Sequence, residues 1–193
     1  TDKNVSIMNI GSMGYLPQVF KKIENEKKLN IVYLGGSITM GCNATKTELR
    51  YVDRSAKWWQ TNFPDAEISY FNAGIGATTS QFGVARVQEH VLDKQPDLVF
   101  VEFSVNDSSS PLFMETYESL VRRLLKAESV KAVVLINNLF YDTGTNAQGI
   151  HNAIGLHYDL PIVSVRNYIF PEIQLGNVCL ADYTADMLHP TDL

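Results

Sequence analysis

Five short apolar runs limit what this chain can fold into. They are NIVYLGG (30–36), EISYFNA (67–73), DLVFVEF (97–103), KAVVLIN (131–137) and PIVSV (161–165), each rich in β-branched and aromatic residues. The third is apolar almost without alternation, the mark of a strand covered on both faces. Amphipathic stretches lie between them. In 80–95, Val84, Val87 and Val91 fall on one stripe; in 115–128, Tyr117, Leu120, Val121 and Leu124 fall on another, both at the 3.6-residue period. Helices are predicted there and over Pro17–Asn25, Ser55–Asn62 and Gln148–His157. Strand and helix take turns along the chain, which predicts parallel strands joined by crossover helices. The expected fold class is α/β: a three-layer α/β/α sandwich around a five-stranded parallel sheet. A chain of 193 residues that is 45% hydrophobic can bury one core without a second domain. A single domain over 1–193 is expected, since no repeat, low-complexity tract or linker breaks the pattern.

Composition removes several function classes. The net charge is −5, and the densest basic stretch, KKIENEKK, is broken by two glutamates. Nucleic acid is therefore not an expected partner, because phosphate neutralisation needs clustered Lys and Arg. No apolar run approaches the roughly 18 residues of a membrane span, so no membrane is expected either. No leader peptide is visible. Cys42 and Cys179 are the only cysteines. They are read as unpaired thiols, which points to a reducing, cytoplasmic compartment rather than a secreted one. GGSITMG is not a dinucleotide fingerprint, and the chain has no phosphate-binding G-x-x-x-x-G-K-[ST]. No organic cofactor is implied.

In an open parallel sheet, sites sit at the carboxyl ends of the strands. The first exit is Gly35-Gly36-Ser37, and the second is the glycine-rich run from Asn72 to Thr79. The third is Ser104-Val105-Asn106-Asp107, and the fourth is Asn137-Asn138. Near the chain end stands Asp186-Met187-Leu188-His189-Pro190. A serine hydroxyl needs a base to become a nucleophile, and the base is usually a histidine oriented by a carboxylate. Asp186 and His189 are three residues apart and can lie on one side of a turn that Pro190 stiffens. A tetrahedral oxyanion needs preorganised donors, which a glycine-rich turn and the Asn106 amide can supply.

Each residue also has a plainer reading. Ser37 alone would serve as a helix N-cap. His90, His151 and His157 read as surface or structural, and the six-residue spacing of the last two is poor for a metal; no metal site is expected. Glu102, a carboxylate in an apolar strand, reads as structural. Asn137-Asn138 fit a pocket wall or a strand end equally well. Tyr141 and Asp142 follow the fourth strand and are placed at the cleft border. Trp58-Trp59 read as core packing with at least one ring inward. Cys42 reads as a small packing residue.

Four blocks in order resemble the SGNH (GDSL-type) hydrolases: Gly35-Gly36-Ser37-Ile38-Thr39, Asn72-Ala73-Gly74-Ile75-Gly76-Ala77, Val105-Asn106-Asp107 and Asp186-Met187-Leu188-His189-Pro190. The resemblance spans about residues 30–190. It implies the flavodoxin-like SGNH hydrolase fold, Ser37 as nucleophile, and Asp186 and His189 as the rest of a triad. It further implies an oxyanion hole of the Ser37 N–H, the Asn106 amide and a block-two backbone N–H. The family's glycine at that last position is Ala77 here. A backbone donor needs no glycine, so Ala77 is taken as the donor with a negative φ expected, and Gly76 is the second choice, since a positive φ would strain alanine. Gly36 replaces the aspartate of the GDSL block. GGSIT-type members resemble carbohydrate esterases, so the expected substrate is a small-molecule or oligosaccharide ester with a short, acetyl-like acyl group. The alternatives are a lysophospholipase or thioesterase with a longer acyl pocket, and an idle carbohydrate-binding domain. The resemblance also implies a helix after the His-Pro block; a partner subunit over the same sheet face is the alternative expectation.

Overall fold

The computed structural model describes residues 2–192. In chain order the strands are β1 (Ile7–Asn9), β2 (Lys28–Gly35), β3 (Glu67–Gly74), β4 (Leu98–Glu102), β5 (Ala132–Asn137) and β6 (Ile162–Ser164). The helices are α1 (Leu16–Glu26), α2 (Ser37–Met40), α3 (Tyr51–Asn62), α4 (Ser80–His90), α5 (Pro111–Leu125), α6 (Gln148–His157), α7 (Val165–Gln174) and α8 (Leu180–Tyr183). The sheet runs β1-β6-β5-β4-β2-β3. Strands β2 to β6 are parallel, as expected, and β1 pairs antiparallel with β6 at the edge. The sheet therefore has six strands, not five. A three-residue strand carries too little period to stand out in a sequence, and its pairing is decided by β6.

Alternate residues of each inner strand enter opposite cores, which explains the runs' apolar continuity. Val32, Leu34, Val99, Val101, Val133 and Leu135 pack against Val87 of α4, Leu120 and Leu124 of α5 and Ile154 of α6. Leu29, Ile31, Tyr33, Leu98 and Val134 pack against Val19 and Ile23 of α1 and Val52 and Trp59 of α3. A smaller cluster joins Leu139 and Tyr141 to Ile169 of α7. Over β4–β6 this second face carries an apolar cavity of 460 Å³, walled by Phe100, Val134, Ile136, Val163, Ile169 and Pro190 among others.

The predicted helices form; Gln148–His157 has its predicted ends, and each of the others has at least one end shifted. Helix α3 starts at Tyr51 rather than Ser55, and Asp53 in its first turn suits the positive end of the helix dipole while bonding Arg50 Nε at 2.6 Å. Helix α5 starts at Pro111, a favoured first helical residue, before its buried stripe begins. Helix α4 stops at His90 and a short 3-10 turn follows. Helix α7 has no counterpart in the sequence reading. Its interior Pro171 argues against a helix, yet Ser164 caps it by accepting a hydrogen bond from the Asn167 N–H.

Candidate active site

The nucleophile candidate is built by two glycines. Neither Gly35 nor Gly36 has a positive φ; what matters is the missing side chain. A Cβ on Gly35 would lie 2.0 Å from Thr39 Oγ1, and one on Gly36 would lie 2.4 Å from Asn106 Oδ1. Strand β2 can thus end hard against α2 and the third-exit loop, leaving Ser37 as the first residue of α2. Ser37 is 8% exposed.

His189 Nε2 lies 2.7 Å from Ser37 Oγ, and His189 Nδ1 lies 2.7 Å from Asp186 Oδ2. The Asp186–His189 loop is no helical turn. Asp186 Oδ1 accepts from the N–H groups of Leu188 (3.1 Å) and His189 (2.8 Å), which curls the backbone around the carboxylate while Met187 takes a left-handed φ of 67°. Partial burial opposes ionisation of Asp186. The hydrogen bonds from the His189 ring and from those two N–H groups outweigh it and hold the carboxyl well below the usual carboxylate range. The loop is pinned from outside: the Tyr141 N–H donates to Met187 O at 2.8 Å, and Thr45 donates to Asp192 through its N–H and hydroxyl at 2.8 and 2.6 Å. Asn43 Nδ2 donates to Asp186 Oδ2 at 3.1 Å, so Asp186 has a neighbour that sequence reading missed. In sequence Asn43 is one asparagine in a loop that looks featureless; its left-handed φ of 69° appears only in the fold.

The oxyanion candidates gather at the same corner. The Asn106 amide packs on Gly36 with Oδ1 buried and unpartnered, and Nδ2 has no hydrogen-bond partner among the described residues. The N–H groups of Gly76 and Ala77 are likewise unengaged among the described residues. A Cβ on Gly76 would sit 3.9 Å from Ser37 Cβ. Ala77 has a φ of 57°, not the expected negative one; this is the left-handed conformation in which alanine is strained.

The polar residues behind this corner were not predicted as a group. Glu102 is fully buried. Thr39 Oγ1 lies 3.3 Å from Glu102 Oε2 and 2.8 Å from Tyr51 OH. Burial pushes the Glu102 carboxyl up to about 7, against the Asn138 amide and Thr39, with Asp107 adding to the rise. Arg86 of α4 is buried too, donating through Nη1 to Ala73 O (2.7 Å) and through Nη2 to Gly35 O (3.1 Å). Burial pushes this guanidinium down to about 10. Asp107 accepts from the Ser80 N–H at 2.9 Å and lies 3.0 Å from His151 Nε2.

Other candidates fall outside the corner. Asn137 bonds Asn152 at 2.7 Å, and Asn138 borders the apolar cavity, as does the buried Tyr141. Trp59 is 6% exposed and in the core, while Trp58 is 51% exposed. His90 sits 3.3 Å from Arg86, and His157 packs edge-on to Tyr158. Cys42 is half-buried, and its N–H donates to Ser37 O at 3.0 Å. No cluster of metal-ligating side chains occurs among the described residues, and no helix is long and apolar enough to cross a membrane.

Comparison with known proteins bears on the family and the fold. The crystal structure of a two-domain esterase (CEX) active on acetylated mannans superposes with a TM-score of 0.96 at 46% identity, over 99% of this chain and 52% of that one. The chain thus spans about half the length of that relative. A catalytic mutant of Axe2, an acetylxylan esterase from Geobacillus stearothermophilus, matches with a TM-score of 0.70 at 18% identity, over 85% of this chain and 87% of that one. LAE5, an α/β hydrolase enzyme from the metagenome of Lake Arreo, Spain, matches with a TM-score of 0.69 at 20% identity, over 84% and 87%. At those identities the last two show a shared fold. No match is found among the curated proteins. Residues 33–193 match the GDSL-like lipase/acylhydrolase family, and with a 46% identical esterase covering almost the whole chain, the protein belongs to that family.

Proposed function

We propose that the chain is the catalytic unit of a serine esterase of the GGSIT type that removes small acyl groups, acetyl above all, from carbohydrate esters. The observation that carries this reading is the continuous hydrogen-bonded series Ser37–His189–Asp186, with 2.7 Å at each step. Ser37 Oγ attacks the ester carbonyl while His189 Nε2 takes its proton. Asp186 holds the imidazole by Nδ1 and stabilises the imidazolium. The N–H groups of Ser37 and Ala77, with Gly76 as the other candidate, and the Asn106 amide receive the oxyanion. His189 returns the proton to the leaving alcohol, and water then releases the acid from the acyl-enzyme. No step calls for a metal or organic cofactor.

A short acyl group is supported by a relative. The apolar cavity borders the site through Ile38 and Pro190, the neighbours of Ser37 and His189, so turnover along an acyl-chain series decides between a short and a long acyl group. The 46% identical relative is active on acetylated mannans. The test is hydrolysis of p-nitrophenyl esters from C2 to C10, and of acetylated manno-oligosaccharides, by wild type and Ser37→Ala. Turnover is expected to be greatest for acetyl and to fall on the order of 10⁶-fold in Ser37→Ala. A preference for C8 or longer would overturn the acyl assignment. Near wild-type turnover in Ser37→Ala would overturn the nucleophile. No turnover in either protein would favour a carbohydrate-binding role.

A further inference from the structure

Two loops supply the proposed oxyanion donors, and a single buried carboxylate touches the base of both. Asp107 follows Asn106 directly, and both their N–H groups donate to Phe103 O, at 3.0 Å for Asn106 and 2.9 Å for Asp107. The Asp107 side chain is fully buried. Its Oδ1 accepts from the N–H of Ser80 at 2.9 Å. Ser80 opens α4, three residues after Ala77, so this bond sets where the glycine-rich loop joins its helix. A carboxylate at that helix end also gains from the helix dipole. Oδ2 faces His151 Nε2 at 3.0 Å.

His151 makes this arrangement stiff. Its side chain is fully buried and stacks on Tyr117 of α5, with ring centroids 3.6 Å apart and planes 7° apart. Burial pushes the His151 pKa down against the pull of Asp107. A neutral ring donating from Nε2 satisfies the carboxylate without a second buried charge. The third-exit loop is tied to α6 as well, because the Ala147 N–H donates to Ser104 O at 2.7 Å. Nothing in the ester-cleaving steps uses Asp107 or His151, and neither reaches solvent.

We infer that Asp107, braced by His151, is a positioning residue that sets the Asn106 amide and the 76–77 backbone N–H groups in mutual register. This inference rests on the oxyanion assignment above. The alternative is that the pair serves stability alone. The two differ in their consequences, because oxyanion donors act chiefly in the transition state and their displacement lowers kcat more than it raises KM.

The test compares Asp107→Leu with Asp107→Asn. Asparagine can still accept from Ser80 N–H through Oδ1, the bond that joins the two loops, and leucine cannot. Donation from its Nδ2 to His151 Nε2 would place the ring proton on Nδ1, which is buried without a partner, so the Ser80 bond is what the asparagine variant keeps. On p-nitrophenyl acetate, Asp107→Leu is expected to lose on the order of 10²-fold in kcat with KM within about three-fold, and Asp107→Asn to recover to within about five-fold of wild type. A second readout needs no turnover. In ¹H–¹⁵N spectra of the Ser37→Ala protein, added Asp107→Leu should move the amides of Gly76, Ala77 and Asn106, and added Asp107→Asn should leave them in place. If Asp107→Leu does not fold, His151→Phe replaces it; the ring stack remains, the donor is lost, and about a ten-fold fall in kcat is expected. A stable variant with unchanged kcat and unmoved amides would overturn the inference, as would Asp107→Asn behaving like Asp107→Leu. An inactive wild type with the expected amide pattern would instead count against the esterase reading while supporting the positioning role.

Discussion

Ala77 is the residue where local preference and proposed chemistry pull apart. Its φ of 57° costs alanine about 1 kcal/mol, while glycine adopts the same conformation freely. The proposed function of Ala77 lies in its N–H, which every residue but proline carries. Ala77→Gly should therefore keep kcat within about two-fold and leave Tm unchanged or slightly raised, since relief of strain is offset by the greater freedom of glycine in the unfolded chain. Thermal unfolding and p-nitrophenyl acetate kinetics check this. A large fall in kcat with Tm intact would show that the methyl group shapes the site. The glycines at 35 and 36 teach the converse. Their φ values are ordinary, and it is the 2.0 and 2.4 Å approaches of Thr39 and Asn106 that exclude a side chain.

Helix α4 is the element that ties the strand exits together. Its first N–H is held by Asp107, and Arg86 spans the carbonyls of Gly35 and Ala73 at the ends of β2 and β3. The guanidinium forms no ion pair among the described residues, so it is kept by geometry: two donors in a rigid fork meet two carbonyls on adjacent strands. Removing it takes one donor from each of these two carbonyls, of which Gly35 O retains the Ile75 N–H at 3.1 Å. Arg86→Met is expected to cost about 2 kcal/mol in urea unfolding, and Arg86→Lys to recover little, because one ammonium does not reproduce the fork. Full stability in Arg86→Met would mean that the relief of burying a cation balances the lost bonds.

Over the whole molecule, burial of Glu102 makes stability depend on pH. Below its ordinary value of 4.5 the carboxyl is protonated whether the chain is folded or not. Between there and about 7 the unfolded chain gives up a proton that the folded chain keeps, so stability falls as pH rises. Above about 7 the full cost is present, on the order of 3 kcal/mol. Asp186 has the opposite sense: its folded pKa is depressed, so its contribution is present at neutral pH and is lost as pH falls into the acid range. Glu102→Gln should gain on wild type in unfolding free energy between pH 5 and pH 8. Parallel pH dependences in the two proteins would mean that Glu102 stays charged in its buried site.

Periodicity and residue order were enough for the parallel α/β sandwich, because strands buried on both faces must be apolar without interruption and crossover helices must carry a stripe. The four short blocks were enough to nominate Ser37, Asp186, His189 and Asn106, because each stands where a strand or the terminal loop must expose it. Tertiary structure decided what depends on partners distant in sequence. Strand β1 exists only because β6 offers an edge, and α7 forms around Pro171 with Ser164 as its cap. Asn43 reaches Asp186 across 143 positions, and Asp107 meets His151 across 44. A local pattern encodes what the backbone's own period and sterics dictate; a hydrogen bond closed by the fold leaves no periodic trace, since either partner alone looks like any other polar residue.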